Sequence, residues 1–250
     1  MAQQPPQTAP TPAEAFDQVV NRRRSVRVFD AEAAFDPEAV ARSIDRALLS
    51  PNSSNLQLWE FYRVRSPQAL AKARPICLNQ NAAKTARELV VVVVRRDKWR
   101  QHAKANLDFL KSQFDGSNPK RERQALDYYS KLMPIAYTND PVGVAGLAKK
   151  SFQTAVGLVR PMYREAGWND MRVSAHKSVA LAAQTFMLSI AAEGLDSCPM
   201  EGFDSARMKS LLGLPLLAEV SMVIGVGPRK PEGVYGPRFR VPREQVVFEL

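Results

Sequence analysis

The run Leu89-Val90-Val91-Val92-Val93-Val94 leaves this chain few ways to fold. Five consecutive β-branched residues stiffen the backbone toward an extended strand. Successive strand side chains point to opposite faces, so both faces of this strand are apolar and both must be covered. A second constraint lies downstream. Ser174 is a candidate N-cap for a helix carrying Val179, Leu181, Ala182, Ala183, Phe186, Met187, Leu188, Ile190 and Ala191, which Gly194 ends. Apolar groups on nearly every side make it the expected central buried helix.

Around these two elements the chain reads as alternating helices and strands. Thr11-Pro12-Ala13-Glu14 is a capping box with Pro at the first helical position, predicting a helix to about Arg23. Asp36-Pro37-Glu38 opens a second helix with Val40, Ile44, Ala47 and Leu48 on one face, ending at Ser50-Pro51. The polar loop Asn52 to Gln57 leads into a predicted strand over Trp59 to Val64. Short helices follow from Ser66-Pro67 and over Asn81 to Glu88. From Lys98 to Val173 the pattern changes to exposed helices over Lys98 to Gln113 and Lys120 to Leu132. The loop Asn139 to Gly143 and the aromatic-bearing segment Leu147 to Trp168 come next. This stretch reads as an insertion lying over the site, its aromatics serving in part as a small core of their own. Asp204 caps a helix ending at Gly213, Glu219 to Val226 alternates as a strand, and Gln245 to Leu250 is strand-like.

Three stretches have the chemistry to hold a ligand. In Arg23-Arg24-Ser25-Val26-Arg27 an extended backbone puts Arg23, Ser25 and Arg27 on one side. Rigid guanidinium forks beside a hydroxyl suit phosphate or carboxylate, although a basic helix end can also simply be solvated. Arg238-Phe239-Arg240 repeats the arrangement near the C-terminus. Between them, Cys198-Pro199-Met200-Glu201-Gly202-Phe203-Asp204 reads as a tight loop able to aim backbone N–H groups at a planar ligand, or as an ordinary turn. Gly225-Val226-Gly227-Pro228 superficially suggests a dinucleotide fingerprint. It lacks the third glycine and the following helix, and Pro228 breaks the turn.

Bulk properties narrow the function classes. The 250 residues, 45% hydrophobic, suffice for one sizeable domain. Cys77 and Cys198 form no disulfide framework, which favours a reducing, cytoplasmic setting. His102 and His176 have no companion ligand at metal spacing, so no metal site is expected. Residues 1–12, Gln- and Pro-rich, read as a disordered arm ahead of a single domain over 13–250, and no apolar run reaches membrane-spanning length. The formal charge of +10 invites a polyanion. Lys and Arg are spread along the chain apart from clusters at Arg22 to Arg27 and Arg238 to Arg240, which favours a small phosphate-bearing ligand over specific nucleic-acid binding.

Taken in order, Arg23 to Arg27, Pro51-Asn52-Ser53-Ser54-Asn55-Leu56-Gln57-Leu58-Trp59, Asn81 with Lys84, Pro199 to Asp204, and Arg238-Phe239-Arg240 resemble the FMN-dependent nitroreductase family. The match spans roughly residues 13–95 and 174–250. The resemblance implies an α+β sandwich with a central, mostly antiparallel sheet flanked by helices, a helical insertion over about 97–173, and an intertwined homodimer binding FMN at its interface. It implies that Arg23, Ser25, Arg238 and Arg240 hold the FMN phosphate and ribityl chain. Arg27, Lys84 and Asn81 would lie at the ring, and Ser53 and Asn55 would reach it from the partner chain. The segment Pro199, Met200, Glu201 and Gly202 would line the flavin, with the Glu201 and Gly202 backbone facing N5 and O4. Cations near the N1 and C2 carbonyl edge favour the reduced flavin and so ease hydride acceptance from NAD(P)H. No catalytic side chain is then required. Glu201 acts through its backbone, and Cys198 is a small buried residue rather than a nucleophile. The implied activity is electron transfer from NAD(P)H to nitroaromatics, quinones or related acceptors by a ping-pong scheme. The alternatives are a non-catalytic FMN-binding protein or a basic polyanion-binding module. The chain departs from the family pattern at Ser178, where many members have Gln, at Leu58, where Pro is usual, and in the longer 97–173 region.

Overall fold

The computed structural model describes residues 9–138, 144–165 and 167–250, with the side chains of 144–150 outside that description. Most of the expected N-terminal arm and the loop Asn139 to Gly143 therefore lie outside the described residues. Helix α1 (Pro12–Arg22) begins at the anticipated capping box, with the Thr11 hydroxyl accepting from Glu14 N–H and Glu14 accepting in return. Helix α2 (Pro37–Ala47) buries Ala39, Val40, Ser43 and Ala47. Leu48, expected on that face, is instead exposed because it falls just past the helix end.

Strands β1 (Trp59–Val64), β2 (Glu88–Val94), β3 (Asp196–Met200) and β4 (Glu219–Gly227) form one sheet in the order β1-β2-β4-β3, every neighbour antiparallel. All seven residues of β2 are buried. Leu89, Val91 and Val93 enter one apolar layer, and Val90, Val92 and Val94 enter the other. The first layer is closed by α3 (Pro67–Ile76), α4 (Asn81–Thr85) and α10 (Ser205–Leu211) together with Phe29. The second is closed by α2 and by the long helix α9 (Trp168–Ala192), whose Val179, Ala182, Ala183, Phe186 and Ile190 are buried. The two-sided burial read from the valine run thus produces a three-layer α+β sandwich.

Three expectations are corrected. Helix α9 starts at Trp168 rather than at Ser174, because Asp170 reaches back to accept from Gly167 N–H and caps the earlier turn. Cys198, Pro199 and Met200 belong to β3, so only Glu201 to Asp204 is loop. Proline is tolerated there because β3 lies at the end of the sheet order and pairs with β4. The Gln245 to Leu250 segment is not a strand. It has no partner in the sheet, and residues 241–250 are exposed throughout.

The segment joining β2 to α9 carries α5 (Trp99–Gln113), α6 (Pro119–Asp127), a π-helical turn over Tyr128–Leu132, α7 (Met133–Tyr137) and α8 (Val144–Gly157). Its Trp99, Tyr128, Tyr129 and Tyr137 pack on Ala103 and Met133 and against Leu56 and Leu58. The aromatics expected to form a small core, those of the Leu147 to Trp168 segment, are not part of this cluster: Phe152, Tyr163 and Trp168 are exposed, and the satellite core is built from residues earlier in the stretch.

Candidate functional site

The alternating arginines converge. After α1, residues 23–29 run beside the sheet, with Ser25 bridged to Ser197 of β3 and Phe29 to Arg229. The 231–234 turn packs tightly on this segment. Arg27 N–H donates to Gly233 O at 2.6 Å, and a Cβ on Gly233 would collide with Val28 O. The chain that follows brings Tyr235, Arg238 and Arg240 opposite Arg23, Arg24, Ser25 and Arg27. Together they line a cleft of about 260 Å³. No carboxylate lines it, and none of its five arginines forms an ion pair among the described residues. Burial, followed by the charges of Arg238, Arg240 and Arg24, pulls the Arg23 pKa below its ordinary value. Such a cluster is relieved by an anion, so a phosphate-bearing group fits the cleft.

The arginines are not equivalent. Arg238 donates to the carbonyls of Asn21 at 3.0 Å and of Arg23, compensating the C-terminal end of α1. Arg24 donates to Gly236 O at 2.5 Å, and Arg240 turns back to Phe239 O at 2.6 Å. The Cys198 thiol next to this group is fully buried. Burial raises its pKa, with Arg27 and Arg23 pulling the other way. It is a packing residue, as the sequence reading has it.

The remaining expected positions separate into groups. Asn81 Nδ2 donates to the Tyr235 hydroxyl at 2.8 Å, joining the start of α4 to the cleft wall. Lys84, one turn on, lines a different cavity with Arg74, Arg87 and Lys230. Pro199 and Met200 lie on β3, Met200 buried, while Glu201 and Gly202 are exposed immediately after it. The Gly202 carbonyl is fixed by Gln80 Nε2 at 2.6 Å. Ser53 and Asn55 do not line the arginine cleft of their own chain.

They sit in a second constellation. Ser54, Asn55 and Gln57 hold φ of 55°, 50° and 49°, left-handed values that non-glycine residues adopt at a cost. Hydrogen bonds from three directions hold the loop there. Asn52 Oδ1 accepts from Gln57 N–H at 2.8 Å, and Ser178 Oγ accepts from Ser53 N–H at 3.1 Å. Asn55 Nδ2 donates to Asn106 Oδ1 at 2.7 Å, Asn106 Nδ2 donates to the Asn55 backbone carbonyl at 2.9 Å, and the Ser54 and Tyr128 hydroxyls meet at 2.7 Å. Ser178, noted as a departure, thus anchors this loop to α9. Beyond Ser53 and Ser54 opens an apolar cavity of about 550 Å³, lined among others by Tyr128, Met133, Tyr137, Phe152, Met162 and Tyr163. Gln153 lines it too, with its Oε1 buried and unpartnered.

Sequence reasoning missed Tyr235, Arg24, Gln153 and the hold of α5 on the Ser53–Asn55 loop. Arg24 points the opposite way from Arg23 in any extended reading and enters only because the 236–240 segment wraps around. Gln153 carries no local signal. Among the described residues no group of three or more His, Cys, Asp or Glu side chains could hold a metal ion. Among the same residues no helix is long and apolar enough to cross a membrane.

Comparison with known proteins gives a consistent result. Residues 20–228 match the model of the Nitroreductase family. Protein DrgA of Synechocystis sp. is 28% identical over 216 residues, 86% of this chain and 84% of that protein. An NADH dehydrogenase of Thermus thermophilus is 28% identical over 229 residues, 91% of this chain and 92% of that protein. Among solved structures, a protein of Exiguobacterium sibiricum crystallised in complex with FMN superposes with a TM-score of 0.65 at 20% identity, covering 98% of this chain and 99% of that one.

Proposed function

The chain belongs to the nitroreductase family, and from that premise we propose that it is an FMN-dependent oxidoreductase drawing on NAD(P)H and reducing nitroaromatics, quinones or related small acceptors. The observation that carries the reading is the cleft of about 260 Å³ in which five arginines converge without a counter-ion. It is supported by the FMN complex of the Exiguobacterium protein and by the NADH dehydrogenase name of the Thermus relative.

When bound, FMN supplies a two-electron carrier that NAD(P)H and the acceptor visit in turn, the ping-pong scheme. The chain's own residues bind and orient it. Arg23, Ser25, Arg238 and Arg240 would hold the phosphate and ribityl chain. Arg27 and Asn81 would hold the ring, its negative charge on reduction being offset by the Arg27 cation. The exposed Glu201 and Gly202 backbone supplies hydrogen-bonding groups without adding a titrating one. Lys84 is left out of this set because it lines another cavity.

Ser53 and Asn55 lie away from the cleft of their own chain, which supports their acting on the flavin of a second protomer. The dimer also gives a use to the exposed tail, where Val246 is 60% and Phe248 76% exposed. The aromatic cavity beyond Ser53 would take the acceptor, and the insertion would form its wall.

The test uses Arg27→Ala with Arg240→Ala, which spares Arg238 and its bonds to α1. Charge-assisted hydrogen bonds are worth about 1.5–3 kcal/mol each, so FMN affinity should fall about a hundredfold or more. The protein as purified should be yellow and release FMN on heating, the double variant colourless with unchanged circular dichroism. Full FMN occupancy in the variant overturns the assignment. A bound, reducible flavin with no NAD(P)H turnover on menadione or a nitrobenzoate would favour a non-catalytic FMN protein.

A further inference from the structure

A second cavity, of about 450 Å³, is lined by Phe29 and Ala31, a few residues beyond Arg27 of the proposed flavin cleft, and its wall is also cationic. Arg74 from α3, Lys84 and Arg87 at and after the end of α4, and Lys230 after β4 all line it, over a floor that includes Leu70 and Phe29. No Asp or Glu lines it, and none of these four cations forms an ion pair among the described residues. Elsewhere the chain pairs its cations freely, as Arg63 with Glu88, Arg95 with Glu60 and Arg229 with Asp196. Here, as in the proposed flavin cleft, several cations line one recess with no carboxylate among them.

Two details make it more than a basic patch. Arg74 Nε is buried with no hydrogen-bond partner, a charged donor that has lost its water and gained nothing. Arg87 is pre-set. Its guanidinium donates to the carbonyls of Ala31 and Ala33 and lies 5.4 Å from the Phe35 ring centroid, so it is held in place before any ligand arrives. Converging like charges and a desolvated donor both disfavour the empty cavity, and a multivalent oxyanion answers both.

We infer that this cavity is a binding site for a small organic phosphate, its oxyanion held by Arg74, Arg87 and Lys230 and its apolar part resting on Leu70 and Phe29. A recess of this size fits a compact ligand rather than a polymer strand. The site is distinct from the flavin cleft and does not depend on the cofactor assignment.

The experiment titrates inorganic phosphate and phenyl phosphate into FMN-saturated protein by isothermal calorimetry at constant ionic strength. Saturation with FMN occupies the arginine cleft, so any further phosphate site is counted separately. Expected is one site per chain, with phenyl phosphate bound more tightly than inorganic phosphate. Arg74→Gln with Lys230→Gln should lower affinity at least about tenfold, the size of a lost charge-assisted contact, leaving FMN occupancy unchanged. Lys230→Gln alone, which removes a side chain with no ion pair among the described residues, should give a smaller loss in the same direction. The Arg27→Ala, Arg240→Ala variant should retain the site, and that holds whether or not the flavin assignment survives. No saturable heat with either probe, equal affinity in the Arg74/Lys230 variant, or loss of binding in the Arg27/Arg240 variant would each overturn the inference. So would an oligonucleotide that binds with strong salt dependence and displaces phenyl phosphate, since the cavity would then serve a polymer.

Discussion

At the scale of single residues, what the structure demands is mostly space and charge. Gly225 shows the first. It sits in the middle of the sheet where a Cβ would stand 2.9 Å from Ala82 O and 3.3 Å from the Phe29 ring. Gly225→Ala should destabilise the fold by about 1–3 kcal/mol, the usual cost of overpacking a filled core. A urea-unfolding midpoint equal to that of the parent would show that Phe29 yields freely. The glycine pair that resembled a nucleotide fingerprint therefore makes space, at Gly225 for the Ala82 carbonyl and Phe29 and at Gly227 for Arg87 and Phe29. Charge was more legible. Arg23, Ser25 and Arg27 could be placed together from sequence because alternation in an extended segment is a purely local rule, and Arg238 with Arg240 by the same rule. Arg74 could not be found this way, since its meaning lies in Arg87 and Lys230 arriving from other elements. Pro199 misled for a related reason. Read locally it marks a turn, and only the position of β3 at the end of the sheet makes it compatible with a strand.

At the scale of elements, the join between β1 and the segment leading to α5 is electrostatic. Glu60 meets Arg95 at 2.6 Å and Lys98 at 2.5 Å, and Tyr62 donates to it at 2.8 Å. Burial acts to raise the Glu60 carboxyl, but the hydrogen bonds from Arg95, Lys98 and Tyr62 together outweigh it and hold its pKa at about 2, against 4.5 for the free side chain. A carboxyl depressed on folding contributes stability that is fully present above its unfolded pKa and is lost as pH falls through its folded one. Stability should therefore decline between pH 4.5 and about 2, and Glu60→Gln should flatten that decline while lowering stability at neutral pH. Parallel acid profiles for the two proteins would mean that the contact contributes nothing. Helix starts were legible where the cap was a side chain, as at Thr11, Asp36 and Asp204. The start of α9 was not, because Gly167 offers no cap of its own and the signal came from Asp170 behind it.

At the scale of the whole molecule, the sandwich was written into one strand and one helix, β2 and α9. What covers the outside of the molecule was not. Residues 241–250 end in Val246, Val247, Phe248 and Leu250, all exposed on the single chain. Deleting the chain after Val241 should convert the proposed dimer to a monomer by light scattering and release FMN, if the tail clasps a second protomer. A truncated protein that stays dimeric and yellow would assign the interface elsewhere. Finally, a central strand of five identical valines is a scale without graduations. Sliding β2 by one residue would exchange its two faces, yet within the valine run each face would meet the same side chain as before. Packing of the valines alone therefore cannot tell the correct alignment from its neighbour. The marks that can lie at its edges: Glu88, 1% exposed and gripped by Arg63 at 2.5 and 3.0 Å, and the irregularity against β4 between Val92 and Val93. A shifted strand would strand that carboxylate among apolar groups, so one buried charge indexes the sheet on which both layers are built.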